Sequence, residues 1–214
     1  MRSEKTLFLR EFLKNPRRTA AVLPSGQRVA RNMAMAVPGT GDPVVVELGP
    51  GTGAFTAEIQ RRLGRRGRHL AVELNDRFAA LLRARFPAVD VLVDDALNLR
   101  ELLNQRGLDR VDVIVSGLPN ALFTQAEQRR LLDVARDCLA PDGNFAAFAY
   151  VHLAWTPPTR RFSRLIDETF GDVTVGKIVW AGFPPAFVYI AGRIRPATSA
   201  ARSGRAATQQ FRRQ

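Results

Sequence analysis

The chain's 214 residues allow one substantial hydrophobic core and are short for two. Hydrophobic residues make up 46% and charged residues 24%, and no run approaches the roughly 18 apolar residues of a membrane-spanning helix, which excludes a transmembrane class. The net charge of +12 is uneven: residues 1–41 hold eight Lys/Arg against two Glu, residues 193–214 hold six Arg and no acid, and the stretch between holds eighteen of each sign.

Basic ends on a balanced body predict attraction to a polyanion, either nucleic acid or an anionic membrane face, although such ends also occur as plain solvated segments. The single Cys138 cannot form an internal disulfide and reads as a small buried thiol on a helix. The N-terminus alternates charged and apolar residues instead of presenting the continuous apolar stretch of a secretory signal, so a cytoplasmic location is expected.

In chain order, residues 4–15 fit a short amphipathic helix with Phe8, Leu9, Phe12 and Leu13 on one face, stopped by Pro16. A second helix is expected over about 27–37, with Ser25 as a possible cap, before the loop VPGTGDP. Strands and helices then alternate: a strand at 43–49, a helix at 54–64, a strand at 69–75, a helix at 76–86 closed by Pro87, and a strand at 89–96. A short helix near 98–106, a strand at 111–117, a helix at 124–140 and a strand at 145–154 follow. Thr124 and Glu127 have capping-box spacing, and PDG at 141–143 reads as the turn out of that helix. After a helix at 159–170 closed by Gly171, the runs VTVGKIVW and AFVYIAGR are joined only by AGFPP, too short for a parallel crossover, so the last strand is reversed. The expected fold is α/β: a doubly wound, mostly parallel sheet with a reversed last strand. The expected organisation is a helical extension over 1–41, a ligand-binding domain over 42–193 and a basic tail over 194–214.

In doubly wound sheets ligands bind beyond the carboxyl ends of the strands, and the first strand-to-helix turn carries the glycines. Gly49, Gly51 and Gly53 stand there. Alternating glycines alone fit a plain turn more often than a nucleotide site. Three carboxylates favour the site: Glu47 before the first glycine, Glu73 at the end of the second strand, where it can accept both hydrogen bonds of a ribose diol, and Asp95 at the end of the third, facing an adenine amino group. Taken singly, each is also what a solvated strand end looks like.

ELGPGTG together with Glu73-Leu74 and Asp95-Ala96 resembles the S-adenosylmethionine site of class I methyltransferases, over about residues 40–193. That resemblance implies a seven-stranded sheet with an antiparallel seventh strand, and S-adenosyl-L-methionine held by Glu47, the three glycines, Glu73, Leu74, Asp95, Ala96 and Ser116, with S-adenosyl-L-homocysteine as product. The fourth strand ends in SGLPNALF (116–123), where amino-methylating relatives carry an Asn/Asp-Pro-Pro-Tyr or Asn-Leu-Pro-Tyr loop. Here Ser116 takes the polar place and no aromatic follows Pro119, which argues against a stacked adenine as acceptor. Jointly, FLREFLKNPRRTAAVLPSG (8–26), ELGPGTGAFT, SGLP, FAYVH (148–152) and PPAFVY (184–189) resemble the bacterial phospholipid N-methyltransferases, which methylate the amine of phosphatidylethanolamine. The resemblance implies that the first helix lies on an anionic membrane surface, although its apolar face would serve equally for packing on the domain's own core.

Methyl transfer from a sulfonium needs alignment more than a protein nucleophile, but the amine, with a pKa of roughly 10, must lose a proton. Tyr150 and His152 are the candidates to accept or relay it, and Ser116 with the Leu118 carbonyl to orient the nitrogen. Trp155, Trp180 and Tyr189 offer aromatic faces for a methylated cation, and Arg17, Arg18, Arg160 and Arg161 offer partners for a lipid phosphate. Two other readings remain open on sequence: a methyltransferase for a soluble amine or hydroxyl, and a nucleic-acid-binding or RNA-directed protein. No obligate protein partner is evident.

Overall fold

A computed structural model describes residues 24–180 and 184–194. The first helix (4–15), Arg17, Arg18 and the tail beyond 194 lie outside the described residues. Seven strands form one sheet: β1 (Val44–Leu48), β2 (Arg68–Glu73), β3 (Asp90–Val93), β4 (Val111–Ser116), β5 (Leu139–Tyr150), β6 (Phe170–Val175) and β7 (Ala186–Ile194). Their order is β3-β2-β1-β4-β5-β7-β6. The strands from β3 to β5 pair in parallel, and β7 runs antiparallel to both β5 and β6, which is the reversal expected from the short AGFPP link.

Among the described residues six helices flank the sheet: α1 (Pro24–Ala34), α2 (Ala54–Leu63), α3 (Asp76–Arg85), α4 (Leu99–Asn104), α5 (Gln125–Cys138) and α6 (Pro157–Thr169). Successive strand residues point to opposite faces, and the core divides accordingly. Val46, Leu48, Leu70, Val72 and Ile114 pack with α4, α5 and α6 through Leu103, Leu131, Leu132, Phe162 and Ile166. Their neighbours Val45, Val113, Val115 and Ala146 pack on the other face with Val29 and Met33 of α1 and Ile59 and Leu63 of α2, while Ala71 and Val91 pack under Ala79 and Leu82 of α3. Cys138 is buried at the end of α5, as expected.

Several boundaries differ from expectation for local reasons. Ser25 lies within the described span of α1, Pro24–Ala34, and not before it as a cap. α6 starts at Pro157, and β6 begins at Phe170, before Gly171. β3 stops at Val93 because Asp95 caps a 3-10 turn at Ala96–Asn98. The PDG segment is absorbed into β5 as an irregularity: Val111 opposes Leu139 while Val113 opposes Asn144. The run expected as one strand over 173–180 ends as a strand at Val175, and beyond it Gly176 N–H donates to the Val188 carbonyl and Val179 forms a bridge with Ala186. The capping box of α5 is present, with Thr124 N–H donating to Glu127 at 2.8 Å.

Candidate functional site

The carboxyl ends of β1, β2 and β4 converge because these strands are neighbours in register, Leu48 opposing both Val72 and Ser116. Gly49, Gly51 and Gly53 have φ of 68°, 55° and 87°, the left-handed region open to glycine. They differ in what surrounds them. A Cβ on Gly49 would lie 2.7 Å from Leu118 Cδ2, and one on Gly53 2.7 Å from the Phe86 ring, whereas one on Gly51 would meet nothing within 4 Å. Gly49 and Gly53 are therefore glycines of close packing, and Gly51 presents bare backbone to open space.

Glu73 joins β2 to this turn. It is buried, and its two oxygens accept backbone N–H groups, one from Gly51 at 3.0 Å and one from Asn75 at 2.9 Å. Burial pushes its carboxyl above the usual 4.5, partly offset by those two bonds. Glu47 is also buried: Oε2 accepts from Thr56 Oγ1 at 2.7 Å and lies 3.3 Å from His69 Nε2, while Oε1 has no partner among the described residues. His69 is held in turn by Gln60, Nδ1 to Nε2 at 3.0 Å. Leu74 is exposed just past β2. Asp95 is exposed past β3, accepting the Leu97 N–H at 2.9 Å, with half-buried Ala96 beside it.

Ser116 ends β4 fully buried, its Oγ without a partner among the described residues. The following loop is locked to the glycine turn, because the Gly117 N–H donates to the Leu48 carbonyl at 2.8 Å and the Leu118 side chain fills the space beside Gly49. The Leu118 carbonyl accepts the Asn120 N–H at 2.9 Å, which leaves one lone pair for another donor. Tyr150 ends β5, three residues past Ala147, the partner of Ser116. Burial raises its pKa above 10, so near neutrality it is a phenol able to exchange hydrogen bonds and not a phenolate base. His152 lies exposed on the next turn, stacked on Tyr150 with centroids 5.6 Å apart.

The aromatic assignments change. Tyr189 is a core residue whose hydroxyl bonds Ser163, its pKa pushed up to about 12 by burial, and Trp155 and Trp180 are each 71% exposed. The aromatic row at the strand ends is instead Phe55, Phe148, Tyr150 and His152, each ring within 5.3 to 5.6 Å of the next. Its signal in the sequence was the i, i+2 spacing of Phe148 and Tyr150 and the place of Phe55 just after the glycines. Arg161 is no unengaged phosphate partner: its guanidinium donates to Gln128 Oε1 at 2.9 Å and to the Phe123 carbonyl at 3.2 Å. Thr56, Gln60 and His69 were also missed, although the four-residue spacing of the first two puts them on one face of α2.

An open set of backbone at Gly51, flanked by two buried carboxylates and an unpartnered hydroxyl, can take a polar ligand that carries both hydroxyls and a cation. Residues 45–143 match a family described as a methyltransferase domain. An ornithine lipid N-methyltransferase of Singulisphaera acidiphila is 36% identical over 165 residues, covering 76% of this chain and 84% of that protein. Ribosomal RNA small subunit methyltransferase A of Geobacter sulfurreducens is 37% identical over 114 residues, covering 51% of this chain and 39% of that protein. Among solved structures, a SAM-dependent O-methyltransferase of Thermotoga maritima matches with a TM-score of 0.62 at 19% identity, covering 86% of this chain and 70% of that one, a likeness of fold alone. With its reversed seventh strand and these relatives, the chain belongs to the class I S-adenosylmethionine-dependent methyltransferases, related to the lipid N-methyltransferases, and S-adenosylmethionine is its cofactor.

Proposed function

We propose that the protein methylates the amine of an aminolipid headgroup at an anionic membrane surface, ornithine lipid or phosphatidylethanolamine being the two headgroup types in view. The observation that carries this reading is the likeness to an ornithine lipid N-methyltransferase over 84% of that protein's length.

In this reading Glu73 takes the ribose hydroxyls and Gly51 offers the backbone they approach. Glu47 Oε1 and the glycine turn take the cationic amino-acid end, and Asp95 takes the adenine amino group. Leu74 and Ala96 would offer the adenine apolar surface, and Ser116 would contribute its hydroxyl to the donor site. When bound, S-adenosylmethionine would supply an electrophilic methyl to the neutral amine and leave as S-adenosylhomocysteine, the amine's displaced proton going to solvent. The chain's part is alignment and proton handling. Ser116 and the remaining lone pair of the Leu118 carbonyl orient the nitrogen. Tyr150 relays through its hydroxyl to His152, whose exposed imidazole can pass the proton to water. The aromatic row suits an ammonium that gains methyl groups, a contact worth about 0.5 to 2 kcal/mol.

Support for the membrane surface comes from a groove of about 450 Å³ between α1 and the segment after β6, lined by Arg28, Arg31, Asn32, Lys177, Ile178, Val179 and Trp180. Val179 bridges to Ala186, which opposes Tyr150, so at about 4.8 Å per strand spacing the groove lies roughly 10 Å from the acceptor edge. Exposed tryptophan beside cations suits a headgroup layer carrying anionic lipid. Among the described residues no helix is long and apolar enough to cross a membrane.

A second reading, RNA as acceptor, is favoured by the ribosomal RNA methyltransferase, but that match spans only 39% of the relative. Methyl-labelled donor offered separately to ornithine lipid vesicles, phosphatidylethanolamine vesicles, RNA and a metabolite extract decides. Label in extracted lipid is expected; label confined to RNA or to a water-soluble product overturns the proposal.

A further inference from the structure

Asn120 opens the 3-10 turn Asn120–Leu122, four residues beyond Ser116. Its side chain is buried, yet neither Oδ1 nor Nδ2 has a hydrogen-bond partner among the described residues. A buried carboxamide with neither end paired to the protein costs stability, and an apolar side chain of similar size in its place would not.

The turn does not need that amide for its own shape. The Asn120 N–H closes an inverse γ-turn onto the Leu118 carbonyl, with Pro119 at φ −78° and ψ 73°, and the Leu122 N–H donates to the Pro119 carbonyl at 2.9 Å. From outside, the buried Gln128 of α5 donates to the Asn120 carbonyl at 2.8 Å and to the Pro158 carbonyl at 3.1 Å, and Arg161 of α6 fixes Gln128 in turn. From inside, residues 117 and 118 are clamped against Leu48 and Gly49. A polar group held rigid by its surroundings but bonded to none of them, at the end of a central strand, is built for something that arrives.

We propose that the Asn120 carboxamide contacts the methyl acceptor, Oδ1 accepting an N–H of the amine so that the nitrogen lone pair is turned toward the methyl carbon. Its neutrality matters. A carboxylate at this place would favour the protonated ammonium and raise the amine's pKa, opposing the deprotonation that transfer requires, whereas an amide oxygen holds the neutral amine without that bias. This rests on the acceptor being an amine and not on its being a lipid.

Asn120→Leu and Asn120→Asp test it. Asn120→Leu is expected to unfold no earlier than the natural chain, to bind S-adenosylhomocysteine as tightly by calorimetry, and to lose about 10- to 100-fold in kcat on the acceptor pool that the natural chain labels. Asn120→Asp is expected to move the limb of the pH–rate profile that reports amine deprotonation up by about one unit. Full turnover in Asn120→Leu, weakened donor binding, a lowered Tm, or an unshifted profile in Asn120→Asp overturns the proposal. If the natural chain labels a soluble amine and no lipid, the aminolipid reading falls while these variants still judge Asn120.

Discussion

The Glu73 carboxylate, at the end of β2, accepts the backbone N–H of Gly51, at the tip of the turn after β1, at 3.0 Å. One buried acid thus sets the height of the turn above the sheet and faces the open space beside it. Replacing Glu73 by Ala removes both its backbone bonds and the proposed ribose contact. Donor affinity is expected to fall by about 10- to 100-fold, read by calorimetry with S-adenosylhomocysteine; unchanged affinity would remove Glu73 from the donor site.

Glu73 also predicts a pH dependence. Its folded pKa is raised above 4.5 by burial, so its contribution to stability is complete below 4.5 and is lost as pH rises through the folded value. The ribose contact needs the ionised form. Donor affinity should therefore weaken as pH falls through that same folded value while the apo fold gains from protonation there. Titrations of Kd and Tm from pH 8 down toward pH 4.5, compared with Glu73→Gln, read the two opposite slopes.

Gly51→Ala and Gly53→Ala should fail differently. Both positions have positive φ, but a Cβ at 53 collides with Phe86 and Leu82, at 2.7 and 2.9 Å, and one at 51 meets no protein atom. Gly53→Ala is expected to lose about 2 to 4 kcal/mol of stability. Gly51→Ala should lose only about 1 kcal/mol but bind donor poorly, because the new methyl projects into the open space proposed for the donor. Denaturant unfolding and calorimetry on both variants separate the cases.

Arg28→Ala with Lys177→Ala removes two exposed cations from the groove beside Trp180. Affinity for vesicles containing anionic lipid should drop about 10- to 30-fold at low salt, with less loss at high salt. Flotation at two ionic strengths measures it, and equal binding by the variant would locate the membrane contact elsewhere.

Gln128→Leu removes, at a fully buried position, the side-chain donor to the Asn120 and Pro158 carbonyls and one of the two acceptors of Arg161. A loss of about 2 to 3 kcal/mol is expected in denaturant unfolding. Turnover at a temperature where the variant remains folded should fall with donor binding intact, because the Asn120 turn loosens.

Periodicity made the strands and helices legible, and the reversed β7 followed from the short AGFPP link between the last two apolar runs. Two boundaries shifted where a side chain caps or a proline initiates: Asp95 truncating β3 and Pro157 advancing α6. Glu47, Glu73 and the glycines could be placed at the site because strand ends and turns are local. Thr56 and His69, which hold Glu47, could not, because β2 meets α2 only after the chain has crossed the sheet face. Asn120 stood in plain view within SGLPNALF, yet nothing in a sequence says that an amide will be buried without a partner. Arg161 read as a surface cation for the same reason: its partners belong to segments more than thirty residues away.

The fit of Leu118 against Gly49, and of Gly117 against Leu48, fuses the two loops into one block. In the proposed arrangement, methyl source and recipient would be gripped by a single piece of masonry with no joint between them. Divergence toward a new recipient has little freedom upstream of Pro119. Grafts that redirect this scaffold should succeed when they exchange residues from 120 onward and collapse when they carry bulk into 117.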